Sequence, residues 1–309
     1  MEDRDCAEFL RWALPRLHLR WAGFRKVRRQ VCRRLARRLR ELSLPDLESY
    51  RAYLAENEAE WELLDDCCRI SISRFQRDRA VWEALREEVL PVLARGARAR
   101  RRAVLTAWSA GCASGEEPYT LTALWDLRLR RAFPNLTLRV IATDSDPVLL
   151  ERARRGEYGA SSLRDFPSSW REAAFERTDG RFRVRPALRE HLELRCSDLR
   201  GPLPDGPFDL VLCRNLAFTY FDEALQRETA KKLAGALVDG GALVLGRRES
   251  LPADVGDFAP WLPQQGIHRR AARSPARRDT PVDEAHDGGA PRSLRAVDVD
   301  HRRQVDGAR

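Results

Sequence analysis

The sequence predicts an α/β protein: a parallel β-sheet wound with helices, preceded by an all-helical N-terminal region and interrupted by a small antiparallel insertion. Two observations carry this reading. From residue 103 onward, short apolar runs alternate with helical stretches, the pattern of parallel strands joined through crossover helices. Before residue 95 only the helical period appears. At 309 residues and a 43% hydrophobic fraction, the chain is long enough for one large domain or two modest ones.

In chain order, residues 5–19, 24–42, 46–56, 58–69 and 78–94 carry apolar residues at helical spacing, and Pro45–Asp46 makes a break followed by a cap. Val104–Ala107, Leu138–Ala142, Phe208–Leu212 and Ala242–Leu245 read as buried strands, with helices over 118–131, 147–155 and 222–237. Between 156 and 197 the rhythm breaks. There Arg181–Arg185 and His191–Arg195 alternate like short exposed strands, which we assign to the insertion. After about 270 the chain is Arg, Asp, Ala, Gly and Pro with few large apolar residues, a composition that reads as disorder. The expected organisation is a helical domain at 1–95, a sheet domain at 96–270 with 156–197 inserted, and a disordered tail at 271–309.

No run approaches 18 apolar residues and the N-terminus has no apolar signal region, so neither a membrane span nor secretion is expected. Seven cysteines without regular spacing give no disulfide framework, and no Cys/His spacing points to a metal. A reduced, cytoplasmic, monomeric protein without a metal site follows. The net charge is +9, yet only Lys26, Lys231 and Lys232 are lysines and the other 53 of 56 basic residues are arginines. Codon bias explains so lopsided a ratio as well as a ligand does, so nucleic-acid binding is permitted but not indicated.

Val104–Tyr119 reads as a strand, a small-residue turn and a helix start, with Pro118 in the first helical turn. Gly111 and Gly115 let the backbone approach a ligand closely. The turn is not Gly-x-Gly-x-x-Gly, and Glu116 and Glu117 stand at the helix entrance. A pyrophosphate would meet negative charge there, so a dinucleotide is disfavoured. A cationic or zwitterionic head is favoured, such as the amino-acid end of S-adenosylmethionine (SAM). The next strand ends at Asp144, where an acid commonly takes the two hydroxyls of a ribose. Structural readings compete: Glu116 and Glu117 as acids at a helix N-terminus, and Asp144 or Asp146 as a helix cap.

Five segments together resemble the chemotaxis-receptor glutamate methyltransferases, the CheR family, over about residues 5–250. They are VCRRLARRLREL at 31–42, ISISRFQRD at 70–78, WSAGCASGEEPY at 108–119, ATDSDPVLLERARRGEY at 142–158 and FDLVLCRNLAFTYFD at 208–222. The resemblance implies a Rossmann-like SAM-binding domain behind a helical domain, with a small β-subdomain inserted. It implies cofactor contacts at Ser71, Ser73, Arg77, Glu117, Asp144, Asp198, Leu199, Arg214 and Asn215, beside the Gly111 turn. The family's Thr-Asn-x-Thr-x-Phe-Phe-Arg reads Ile70–Arg77 here, its Asn-Leu reads Asp198–Leu199, and its Gly-His-Ser-Glu reads Gly246–Glu249. The segment Asn215–Tyr220 is one residue longer than usual, which predicts a displaced Tyr220.

The implied reaction is methyl transfer from SAM to a protein glutamate. Such a carboxylate is already ionised and needs no base, so orientation should supply most of the catalysis. A guanidinium fork and a phenol suit the task of holding it, and Arg77 and Tyr220 are the candidate catalytic residues. Between Arg20 and Arg40 there are ten basic residues and no acid. Val27, Val31, Leu35 and Leu39 form one stripe, with Lys26, Arg29, Arg33, Arg37 and Arg40 opposite. That basic face fits an acidic helical protein substrate, with Arg33, Arg37 and Arg40 as contacts. Nucleic acid is the competing partner, disfavoured because no aromatics interleave with the arginines. Other acceptors, or a SAM sensor that has lost catalysis, are the remaining alternatives.

Overall fold

The structure, a computed structural model, describes residues 2–272. Residues 273–309, most of the segment read as a disordered tail, lie outside the described residues. The helical period of the first seventy residues becomes α1 (Asp3–Ala13), α2 (Trp21–Phe24), α3 (Arg28–Glu41), α4 (Leu47–Glu56) and α5 (Glu60–Cys68). Val31, Leu35 and Leu39 are buried on α3 as their spacing requires, whereas Val27 lies just before the helix. Asp46 caps α4 by accepting from Ser49 N at 2.8 Å, which satisfies one of the helix's orphan donors.

The cysteines need a correction. Cys6 of α1 and Cys32 of α3 form a disulfide, while Cys67, Cys68, Cys112, Cys196 and Cys213 are free. Both partners sit on the inward faces of packed helices, a proximity that irregular sequence spacing does not reveal. The expectation of wholly reduced thiols therefore fails at this pair.

A long helix follows as α6 (Arg79–Ala84), one π-turn at Leu85–Val89, and α7 (Leu90–Ala99). The sheet region then runs β1 (Val104–Ala110), α8 (Glu116–Leu124), β2 (Thr137–Asp144) and α9 (Pro147–Arg155). The insertion holds β3 (Glu157–Tyr158), α10 (Ser168–Ala174), β4 (Phe175–Thr178), β5 (Arg181–Val184) and α11 (Pro186–Arg189). The chain continues through β6 (Leu192–Cys196), β7 (Phe208–Cys213), α12 (Ala217–Tyr220), α13 (Glu223–Ala236), β8 (Leu237–Leu245), β9 (Phe258–Leu262) and β10 (Ile267–Arg270).

Seven strands form the main sheet in the order β6-β2-β1-β7-β8-β10-β9. The first five are mutually parallel, as expected from the alternating pattern. The sheet is nevertheless mixed, because β9 and β10 add an antiparallel edge that the sequence reading did not include. A second difference concerns the insertion. Its antiparallel sheet is β3-β5-β4 alone, and β6, placed in the insertion from its alternation, pairs in parallel with β2 from Val140–Leu192 to Asp144–Cys196. A half-exposed edge strand of a parallel sheet shows the same period of two as a hairpin strand, so alternation cannot separate them.

Each face of the sheet has its own core. On one, Trp82, Leu85 and Leu93 of α6–α7 pack with Leu121, Trp125, Val140 and Leu210, and Phe166 and Phe175 of the insertion extend the cluster. On the other, Leu35, Tyr50 and Leu64 of the N-terminal helices share a cluster with Trp108, Val211 and Leu233. The N-terminal helices pack on one another, and their buried residues run on without a break into those of this sheet face. Among the described residues, no helix is long and apolar enough to cross a membrane, and no group of side chains could hold a metal ion.

Candidate active site

The carboxyl ends of β1, β2 and β7 open into a cleft of about 1180 Å³, the solvent at its mouth included. It lies where successive strands depart to opposite sides of β1, the crevice in which open α/β sheets hold ligands. Every residue predicted for cofactor or catalysis lines it: Ser71, Ser73, Arg77, Gly111, Glu117, Asp144, Asp198, Leu199, Arg214, Asn215 and Tyr220. Arg33, Arg37 and Arg40 do not; they are exposed on α3, with Arg37 paired to Glu41 at 3.4 Å.

The turn after β1 needs left-handed backbone at Gly111 (φ 74°) and Gly115 (φ 92°), which glycine adopts without steric cost. A Cβ at Gly111 would meet Leu216 Cδ2 at 2.4 Å. Leu216 Cδ2 is the movable end of a side chain, so the positive φ rather than this contact is what favours glycine at 111. Glu117 projects from the first turn of α8 into the cleft, accepting from Ser109 Oγ at 2.8 Å and from Arg214 Nη1 at 3.2 Å. Burial pushes its carboxyl above the usual range, and the Arg214 guanidinium pulls partly back.

Asp144 and Asp146 separate cleanly. Asp146 caps α9, accepting from Val148 N at 2.8 Å and Leu149 N at 3.2 Å. Asp144 instead accepts from Ala113 N at 2.8 Å on Oδ2 and from Asp146 N at 3.0 Å on Oδ1. Each of its oxygens keeps a further lone pair for a ligand. Burial raises its pKa, against the pull of those two backbone donors.

Arg214, with a side chain 2% exposed, ties three segments together. It donates to Glu117, to Asp78 Oδ2 at 2.9 Å and to Arg77 O at 2.8 Å, and its guanidinium lies 5.6 Å from the Trp82 ring centre. Arg77 donates from Nη1 to Ile72 O at 2.8 Å, and burial lowers its pKa from the usual arginine value. Tyr220 is on the same wall, its ring centre 5.1 Å from that of Phe24. The expected displacement does not remove it from the cleft. Asn215 is left-handed (φ 56°), and the short α12 that follows ends at Tyr220. Burial raises the phenol's pKa, with Arg77 opposing and Glu249 reinforcing.

Asp198 is more constrained than the sequence implied. It accepts from Arg200 N at 2.8 Å and Nε at 3.0 Å on one oxygen, and from Nη2 at 2.7 Å on the other. Arg200 reaches on to both oxygens of Asp65 at 3.0 and 2.5 Å. Burial alone would raise the Asp198 pKa, but the Arg200 hydrogen bonds outweigh it and the net shift is downward.

Sequence reasoning missed several participants. Glu249 accepts from Asn215 N and Gly246 N, both at 2.7 Å, and from Thr219 Oγ1 at 2.6 Å, fixing the loop that carries Tyr220. It stands in the Gly246–Glu249 run, which was the available signal. Arg200 is two residues from Asp198, but its bond to Asp65 spans 135 positions and has no sequence signature. Arg69, also on the cleft wall, donates to Ser145 O at 3.2 Å.

The donor set fits SAM. Two desolvated carboxylates are poised to meet an ammonium group and a ribose diol. The buried Nε atoms of Arg69 and Arg214 have no acceptor within the described residues, and a ligand carboxylate is such an acceptor. Comparison with known proteins agrees. Residues 71–264 match the family model described as CheR methyltransferase, SAM binding domain, and residues 26–66 match CheR methyltransferase, all-alpha domain. The chain is 34% identical over 189 residues to the chemotaxis protein methyltransferase of Listeria monocytogenes, covering 60% of this chain and 69% of that one. With the chemotaxis protein methyltransferase of Salmonella typhimurium it shares 32% identity over 241 residues, 75% of this chain and 79% of the other. An uncharacterized 104.1 kDa protein of Rhodobacter capsulatus is 33% identical over 229 residues, and there the alignment covers 74% of this chain but only 24% of the longer relative. The chain belongs to the CheR family and is a SAM-dependent methyltransferase.

Proposed function

We propose that the chain methylates a glutamate side chain of an acidic protein, forming a methyl ester. The observation that carries this reading is the presence of Arg77 and Tyr220 on one wall of the SAM cleft. Arg77 uses one donor on Ile72 O and keeps the rest of its planar fork for an anion. The Tyr220 phenol, pushed up by burial, stays protonated at neutral pH and can donate.

SAM, when bound, supplies an electrophilic methyl on a sulfonium and departs as a neutral thioether. A glutamate carboxylate is ionised near neutrality, so the protein needs no general base and acts by holding the nucleophile in line. Arg77 sets the plane of the acceptor carboxylate, and Tyr220 donates to the oxygen that does not react. Glu117 receives the ammonium of the methionine portion, and Asp144 the ribose hydroxyls. Ser71, Ser73, Gly111, Asp198, Leu199, Arg214 and Asn215 complete the cofactor wall. The outward face of α3, with Arg33, Arg37 and Arg40, fits an acidic helical partner, and the names of the chemotaxis methyltransferases above support a receptor-like substrate. Dependence on SAM supports a cytoplasmic location.

Labelled methyl transfer sorted by base lability tests the reading. Methanol released by mild base from labelled polypeptide is the expected result. Stable methylation of RNA or of a small molecule would replace the reading, and no transfer at all would indicate a SAM sensor.

A further inference from the structure

A second depression, open to solvent, lies outside the cleft. Its walls include Arg74, Gln76, Arg79, Arg164 and Ser168, and it meets the cleft at Arg74, which lines both. The loop that separates the two is strained. Gln76 (φ 51°) and Asp78 (φ 62°) are both left-handed, a conformation that L-residues with side chains rarely hold. Gln76 N donates to Thr120 Oγ1 at 3.2 Å, and Arg77 O accepts from Arg214 Nη2 at 2.8 Å and Trp82 Nε1 at 3.0 Å. Gln76 and Asp78 line the second depression, and Arg77 between them lines the cleft. Strain held this firmly, beside a reaction centre, points to use of both surfaces.

The charge of the depression points to its ligand. Its two carboxylates are already neutralised, Asp78 by Arg214 at 2.9 Å and Asp165 by Arg74 at 2.5 Å. Arg79 and Arg164 remain, with side chains 76% and 64% exposed. Arg79 has a solvent-exposed partner in Glu83 at 2.8 Å, and Arg164 stands 3.8 Å from Asp165. Exposed pairs of this kind are weak, so both guanidiniums can turn to a better acceptor.

We infer that this depression is the track for the acceptor chain: an acidic stretch beside the methylated glutamate lies along Arg79 and Arg164 and crosses Arg74 into the cleft. The inference rests on the polypeptide-carboxylate reading above and adds to it a surface separate from α3.

Binding can be read without methyl transfer. A fluorescein-labelled peptide of alternating glutamate and alanine is titrated with the full chain saturated with S-adenosylhomocysteine, and anisotropy is followed. Arg79→Glu combined with Arg164→Glu should weaken peptide binding about tenfold, the combined effect of two partly exposed charge pairs. Calorimetric affinity for S-adenosylhomocysteine should not change. Arg95→Glu with Arg98→Glu makes the same change in net charge at exposed positions that line neither depression, and should leave peptide affinity as it was. The inference is overturned by absent peptide binding in the wild type, by unchanged affinity in the first variant, by an equal loss in the control, or by polyuridylate competing better than polyglutamate. Methyl labelling run in parallel judges the acceptor reading separately. Peptide binding that depends on Arg79 and Arg164, without base-labile ester, would keep the track and remove the glutamate acceptor.

Discussion

Replacing Asp144 by alanine gives the sharpest test of the cofactor geometry. Its two oxygens each accept one backbone N–H, from Ala113 and from Asp146, and each retains further acceptor capacity at the cleft wall. Two ribose hydroxyls donating to that carboxylate make charge-assisted bonds whose loss costs about 1.5–3 kcal/mol. That corresponds to roughly ten- to hundredfold weaker binding of S-adenosylhomocysteine. The same change strands two backbone donors, so the melting temperature should fall as well. Asp146→Ala is the matched control: Asp146 also lines the cleft, but its carboxylate caps α9, and losing that cap costs about 0.5–2 kcal/mol of stability. Calorimetry with S-adenosylhomocysteine, alongside thermal melts of both variants, separates the two effects. The pH dependence carries a sign. Burial raises the Asp144 pKa, so affinity should be flat above that value and fall as the pH drops through it, at a pH above the ordinary aspartate range. Full affinity in Asp144→Ala, or an equal loss in Asp146→Ala, would refute the assignment.

Arg77→Lys keeps the charge but loses the planar fork, so turnover should drop at least about tenfold with an unchanged melting curve; wild-type turnover would return Arg77 to a structural role. Reversing Arg33, Arg37 and Arg40 to glutamate should raise KM for an acidic protein substrate and leave S-adenosylhomocysteine affinity alone, because none of the three lines the cleft. Unchanged KM would remove α3 from substrate docking. Alkylation of the unreduced, unfolded chain should modify five of the seven cysteines, and reductant should lower the melting temperature by several degrees, since a bridge of 26-residue separation is worth about 3 kcal/mol. Seven modified cysteines would remove the bridge.

The elements legible in the sequence are those with a strong period and a clear punctuation mark. Pro147 behind Asp146 marks the start of α9, and the stripe Val31–Leu35–Leu39 marks the buried face of α3. Strand β9 went unread because Phe258–Leu262 is an edge strand interrupted by Pro260, and β10 because Ile267–Arg270 is short and mostly polar although it lies between β8 and β9. Within the site, residues borne by the glycine turn and the β2 end were readable, because backbone geometry there demands particular residue types. The contacts of Arg200 and Arg69 were not. In a chain with 53 arginines, a buried fork and a solvated surface residue look alike until folding brings a carboxylate or a carbonyl into range.

The Asp65–Arg200–Asp198 bridge has a consequence for how such chains can be recombined. Asp65 belongs to α5, whereas Arg200 and Asp198 follow β6, and the backbone ties Arg20 N to Tyr220 O and Asp222 N to His18 O, each at 2.8 Å. A fragment beginning at residue 96 would retain every strand and still lose Asp65, Arg69, Ser71, Ser73 and Arg77 from the rim of its own reaction chamber. A chimera taking its N-terminal helices from a relative would need an acid at position 65 to match Arg200; a basic residue there would set two cations against each other beside the cofactor. Heredity can therefore exchange these two parts only as a matched set, although the chain presents them as separate stretches.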